Sequence, residues 1–213
     1  EDLMQQRQQD LLRQKPYSTA RLYWNHDFRM LLSLQTIVEV ATILGVESPL
    51  QSVLSFPLGA NDVTLQDLAM LYQSLATGQV FGDSTSPKKH WSLIRRIEDT
   101  GGRTIYEANH QSRTILDPGV NRALQEIMRS VVEYGTGRRA KRFLQTEYVR
   151  EDGKQVKVQI PALGKTGTAN NYSNATFVGH LPVPTRQGMQ TQGGHTIAVY
   201  VGSDRPGEAE ATA

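Results

Sequence analysis

The residues best suited to chemistry are Gly164-Lys165-Thr166-Gly167-Thr168. A lysine ammonium flanked by glycine can present its charge to an anion, and neighbouring threonine hydroxyls can donate to the same group. Two chemistries use such a run. A phosphate loop needs a further glycine five residues before the glycine of the G-K-[ST] triplet. That place holds Gln159, Pro161 interrupts the would-be loop, and Asn170, Asn171 and Tyr172 read as a turn where a helix should follow. A strand edge facing a cleft fits better. Lys165 would meet a carboxylate and Gly167 would present bare backbone to an extended ligand. Thr168 would donate its hydroxyl, with its N–H aimed at a developing oxyanion. A turn-rich hairpin without function is the plain alternative for so short a motif.

Other reactive groups are scattered. His26, His90, His110, His180 and His195 form no H-E-x-x-H pattern and no close cluster with carboxylates, so no metal site is expected. His180 reads as a packing or capping residue of a strand. Arg138, Arg139, Lys141 and Arg142 make a basic run that could touch phosphate or an anionic glycan, though a solvated loop explains it as well. No aromatics alternate with these cations, which argues against nucleic-acid binding. The net charge of +2 also gives no reason to expect it. The chain has no cysteine, which excludes thiolate chemistry and disulfides. With 38% apolar and 21% charged residues over 213 positions, it has the composition of a globular domain. No apolar run approaches the length of a membrane span.

The elements that must position the lysine run can be read in order. Residues 1–22 are a polar lead-in or linker, with Leu3, Leu11 and Leu12 able to form a short amphipathic helix. Residues 30–44 predict a core helix on Leu31, Leu34, Val38 and Ile43, stopped by Gly45; their β-branched content leaves a buried strand as the rival reading. Thr64 and Asp67 predict a capped helix start, with Leu65, Leu68, Ala69, Leu71, Tyr72 and Leu75 as the apolar face and Gly78 as the stop. WSLIRRI and RTIYE around DTGG predict two short strands. Asp117 and Pro118 predict an N-cap and first turn, opening a helix on Val120, Leu124, Ile127, Met128 and Val131 that ends near Gly135. FLQTEYV and KVQI around Asp152-Gly153 predict a hairpin. ALGKTGTA, ATFVGH and HTIAVYVG predict three strands of one antiparallel sheet. Helices, a small β excursion, another helix and then strands make an α+β fold.

Several collinear segments carry a resemblance. VVEYGTGRRA (131–140), GKTGTANNYSNATFVGHLP (164–182), TIAVYVGSDRP (196–206) and FPLGANDVTLQDLAMLYQSLATGQVF (56–81) resemble the transpeptidase domain of high-molecular-weight penicillin-binding proteins. The similarity is greatest to the bifunctional class that joins a glycosyltransferase to a transpeptidase. It runs loosely from Tyr23 to Pro206, in the right order throughout. The resemblance implies a serine β-lactamase/transpeptidase-like α+β fold, an antiparallel sheet flanked by helices. It also implies a domain division: 23–206 a partial transpeptidase domain and 207–213 a tail.

In that family a serine opening an S-x-x-K helix takes an acyl group from the D-Ala-D-Ala end of a peptidoglycan stem peptide and passes it to an amine, and β-lactams acylate the same serine. An S-x-N motif lines the cleft, and a K-[ST]-G motif holds the substrate carboxylate. By segment matching, Lys165, Thr166, Gly167 and Thr168 correspond to the third motif, with Asn170 at its rim. Ser33-Leu34-Gln35 falls where the second belongs, with glutamine in place of asparagine, one methylene longer. The bland reading places Ser33 and Gln35 on the polar side of a helix. The first motif is missing. Ser86-Pro87-Lys88-Lys89 sits in a proline-bearing loop, where base and nucleophile share no rigid face. Ser18-Thr19-Ala20-Arg21 offers an arginine, which cannot act as a base.

The resemblance therefore implies a C-terminal portion lacking the nucleophile helix, or a divergent relative that has lost catalysis and binds peptidoglycan or a partner. It implies no cofactor and no metal. It implies stem peptides and β-lactams as ligands of the complete domain, and no nucleic acid. The parent would be membrane-anchored outside this chain, on the extracytoplasmic face of a bacterial membrane, and an open sheet edge would leave room for a homo-oligomer.

Overall fold

The computed structural model describes residues 5–6, 9–10, 12–83, 94–168 and 174–202. The 86–89 loop, Asn170 and the 207–213 tail lie outside them. The chain divides into two compact units, one of Glu1–Thr42 with Ser48–Asp62 and one of Ile43–Glu47 with Val63–Ala213.

The first unit holds α1 (Thr19–Leu22) and all but the last residue of α2 (His26–Ile43). Asn25 Oδ1 opens α2 by accepting the Asp27 and Phe28 amides at 2.9 and 3.3 Å. Gly45 follows at φ 107°, the left-handed conformation expected of a stop. The helix is present, but it is not the core helix expected. Leu34 is its buried side chain, while Leu31 and Ile43 remain nearly half exposed at 46% and 47%. In the 48–62 segment of this unit, Asn61 makes a two-way amide pairing with the Gln51 backbone.

The second unit is built on α3 (Leu65–Thr77), α4 (Pro118–Glu133) and, among the described residues, nine strands. Thr64 and Asp67 form a reciprocal capping box. Asp67 also accepts the Glu47 amide at 2.8 Å, so one buried carboxylate ties residues 43–47 to the helix start. Asp67→Ala removes the buried carboxylate that the Glu47 and Thr64 amides bond to. It should cost about 2–3 kcal/mol, read as a lowered denaturation midpoint in urea.

The face that α3 buries is rotated from the expected one. Met70, Ser74, Ala76 and Thr77 go inside with Asp67, whereas Leu65 stays 42% exposed. Tyr72 and Leu75 join the small core of Ala76, Met128 and Leu163 from the side. Helix α4 starts as expected, with Asp117 Oδ1 accepting the Gly119 and Val120 amides. It then ties off α3: Asn121 Nδ2 donates to the Leu75 carbonyl at 2.7 Å and Gln125 Nε2 to that of Ala76 at 2.6 Å, carbonyls the ended helix leaves unpaired. Met128 and Val132 are the buried residues of α4, and Ile127 faces outward.

All strand pairs are antiparallel. β1 (Gln79–Asp83) pairs with β4 (His110–Thr114), and β2 (Arg96–Glu98) with β3 (Thr104–Glu107) around the Asp99 turn. β5 (Gln145–Val149) pairs with β6 (Gln155–Gln159) around Gly153 at φ 76°. β7 (Leu163–Thr168), β8 (Asn174–Thr185) and β9 (Gly188–Gly202) form one sheet in that order. α4 packs on β7, and α3 on β8 and β9. The fold is α+β, with antiparallel sheets flanked by helices. Among the described residues the three-stranded sheet is open, with β7 and β9 at its edges.

Candidate functional site

β7 carries the lysine run. Side chains alternate along a strand, so Leu163, Lys165 and Gly167 share one face and Gly164, Thr166 and Thr168 the other. The strand starts buried at Leu163 and Gly164 and emerges at Lys165, Gly167 and Thr168, with Thr166 still only 8% exposed. On its far side β7 has no strand partner among the described residues. Lys165 Nζ donates to the Thr166 carbonyl at 2.6 Å and has no carboxylate partner among the described residues.

The two glycines of the run do different things. A Cβ on Gly164 would stand 2.8 Å from the Val178 carbonyl oxygen and 2.9 Å from the Phe177 ring, so the fold itself demands glycine there. A Cβ on Gly167 would meet only Thr176 Cβ at 3.6 Å, an ordinary contact. The bare backbone at Gly167 is therefore not a packing requirement.

The loop after α4 reaches the same strand. Thr136 Oγ1 and Thr166 Oγ1 form a short hydroxyl–hydroxyl hydrogen bond. Thr136 was not singled out by sequence. The available signal was a lone hydroxyl residue between two glycines at a helix end. In the adjoining basic run, Lys141 pairs with Glu133, while Arg138, Arg139 and Arg142 are exposed. A shallow depression lined by Tyr148, Arg150, Glu151, Asp152 and Arg186 shares no residue with β7.

Ser33 and Gln35 lie on α2, in the first unit, and both are exposed. The Ser33 hydroxyl donates to the Arg29 carbonyl at 2.9 Å, four residues back along its own helix. Thr36 and Thr42 do the same.

His180 is 1% exposed and lies directly across from Leu163 in the ladder. Its Nε2 meets the Thr191 carbonyl at 2.9 Å and its Nδ1 the Thr196 hydroxyl at 2.8 Å. A carbonyl only accepts, so the neutral ring carries its proton on Nε2 and Thr196 donates to Nδ1. Burial pushes the His180 pKa down; the Thr191 bond opposes this, and nearby His195 adds to it. The unfolded chain then binds the proton more readily than the folded one. Stability is full above the ordinary histidine value of about 6.5 and falls as pH drops through and below it. The melting temperature should drop between pH 7 and pH 5, and this step should flatten in His180→Gln, as followed by circular dichroism.

Among the described residues no helix is long and apolar enough to cross a membrane. No protein-family profile matches the chain. Penicillin-binding protein 4 of Bacillus subtilis is 30% identical over 117 residues, which are 55% of this chain and 15% of that protein. Penicillin-binding protein 1A of Aquifex aeolicus is 28% identical over 151 residues, 71% of this chain and 18% of that protein. Penicillin-binding protein 1B of Buchnera aphidicola is 24% identical over 178 residues, 82% and 20% respectively. The chain thus spans a fifth or less of the length of these relatives. At 24–30% identity over part of its length, the chain shows distant similarity to the penicillin-binding proteins.

Proposed function

We propose that this chain is part of the transpeptidase domain of a bifunctional penicillin-binding protein. The domain cross-links peptidoglycan stem peptides on the extracytoplasmic face of a bacterial membrane, through an acyl-enzyme at a serine outside these 213 residues. In this reading residues 23–206 belong to that domain. β7 is the wall that receives the D-Ala-D-Ala end or a β-lactam. Lys165, Thr166 and Thr168 bind the carboxylate, Gly167 admits the ligand backbone, and Asn170 stands at the rim. Ser33 and Gln35 serve as the second motif.

The observation that carries the reading is the edge of β7 that has no strand partner among the described residues, where Lys165, Gly167 and Thr168 are exposed together. An extended ligand gains main-chain hydrogen bonds along such an edge, and a cation with hydroxyls at its end selects a carboxylate terminus. Gly167 adds support, because the fold leaves room for a methyl group there and a ligand lying on the strand would not.

Two experiments on the full-length protein test this. Labelling with a fluorescent β-lactam, followed by mapping of the modified serine, should place the label outside residues 1–213. A folded protein that takes no label would overturn the transpeptidase reading in favour of a non-catalytic relative. Gly167→Ala should hold or slightly raise the melting temperature, since alanine fits and loses less chain entropy on folding. It should nevertheless slow acylation about tenfold or more, through misplacement of the bound backbone. An unchanged acylation rate would remove Gly167 from the site.

A further inference from the structure

Thr136 is exposed, yet the chain around it is tightly built. A Cβ on Gly135 would lie 2.9 Å from Val131 Cα and 3.0 Å from its carbonyl oxygen. The Gly137 amide donates to that same carbonyl at 3.0 Å, and a Cβ there would press on it at 3.3 Å. Two glycines thus let the chain fold back onto the last turn of α4, and the Glu133–Lys141 ion pair spans the loop they begin. The residue held between them puts its hydroxyl on Thr166.

Thr166 is the one buried side chain among the three on β7 that carry charge or hydroxyl, Lys165, Thr166 and Thr168. A threonine hydroxyl turns freely about its Cβ–Oγ bond, and it has one proton to give and two lone pairs to fill. The contact with Thr136 fixes one of these valences and the side-chain rotamer with it. What remains of the Thr166 hydroxyl is then directed instead of rotating.

We infer that Thr136 is a positioning residue of the carboxylate site: it holds the Thr166 hydroxyl in the orientation that receives the ligand's terminal carboxylate. The inference rests on the reading of β7 as a carboxylate groove. It assigns to the loop after α4 a part in ligand recognition, carried out through Thr166 and without contact between Thr136 and the carboxylate. The substitution that isolates it is Thr136→Val, which keeps the shape and removes the hydroxyl. Thr136→Ser keeps the hydroxyl and removes the methyl.

The test is a titration of the intact protein with N-acetyl-D-alanyl-D-alanine and, separately, with its C-terminal amide. The Thr168 methyl resonance in a threonine-labelled sample is the reporter. Thr136→Val should weaken binding of the carboxylate form about three- to tenfold, the worth of one net hydrogen bond. Thr136→Ser should stay near wild type, and affinity for the amide form should not depend on residue 136. Equal affinity of wild type and Thr136→Val for the carboxylate form would overturn the inference and leave the groove standing. Equal weakening of both ligand forms would also overturn it, by showing a general structural role. No carboxylate-dependent shift in the wild type would remove the groove and the inference together.

Discussion

Lys165→Ala should lower the second-order rate of acylation by a carboxylate-bearing β-lactam by about two to three orders of magnitude, the usual loss when one donor to developing or fixed anionic charge leaves a partly desolvated site. The folded state should hardly notice the change. The lysine is exposed, and among the described residues its ammonium bonds to the Thr166 carbonyl of its own strand. Such a surface truncation shifts stability by about 0.5 kcal/mol or less. Loss of rate at constant melting temperature is therefore the expected signature. Repeating the measurement with the methyl ester of the same β-lactam separates charge recognition from general damage, because the ester gives Lys165 no anion to hold. The gap between wild type and variant should close with the ester. Equal rates for wild type and Lys165→Ala toward the free acid would end the assignment of Lys165 to the ligand carboxylate.

Gly164→Ala, one residue away, should do the reverse and strike the fold. The added methyl would stand 2.8 Å from the Val178 carbonyl oxygen, an atom of the neighbouring strand's backbone. β8 pairs with strands on both sides, so that oxygen cannot retreat without disturbing the ladder. The Phe177 ring, at 2.9 Å, is the second obstacle, and it also stands over Gly179 and Gly137. Overpacking of this kind costs about 1–3 kcal/mol, and the backbone clash puts Gly164 at the upper end. Equilibrium unfolding in urea should show the midpoint fall. A second substitution, Phe177→Leu, should recover only part of the loss, since it frees the ring side of the clash and leaves the carbonyl. Full recovery would mean that the ring alone sets the constraint, and no loss at all would mean that β7 and β8 can separate at this point.

How much of this was legible in the sequence differs by kind of signal. Local capping chemistry was read without error: Thr64 with Asp67, Asp117 with Pro118, Gly78, and the Asp152-Gly153 turn all act where their side-chain chemistry put them. So was the antiparallel order of the last three strands. What failed was anything decided by distant partners. β1 and β4 pair across a gap of more than twenty residues, and HQSRT has no apolar alternation to announce a strand. β8 continues through Pro182 and Pro184, which local rules treat as strand breakers; the register shift between Leu181 and Val183 accommodates the first of them. The buried face of α3 includes Asp67 and Ser74 in place of Leu65, because the capping carboxylate turns inward to hold residue 47. The apolar stripe of α2 looked like core, yet Leu31 and Ile43, half of it, are exposed and only Leu34 is buried. Of the candidate site, the lysine run was legible by type, but the hydroxyl that reaches it from Thr136 depends on a fold-back that no spacing rule encodes.

Recognition along the open side of β7 would run from main chain to main chain, and amide groups are the same in every peptide. A bound strand would point its own side chains alternately away from and toward the sheet, and only its terminus would meet a residue that discriminates. Such a grip is indifferent to most of what distinguishes one peptide from another. Chemical drift within the polymer being joined would then leave binding intact, so long as the final carboxylate and the extended shape survived. An escape from any mimic of that terminus would have to come from the protein, in the few side chains at the emerging end of the strand.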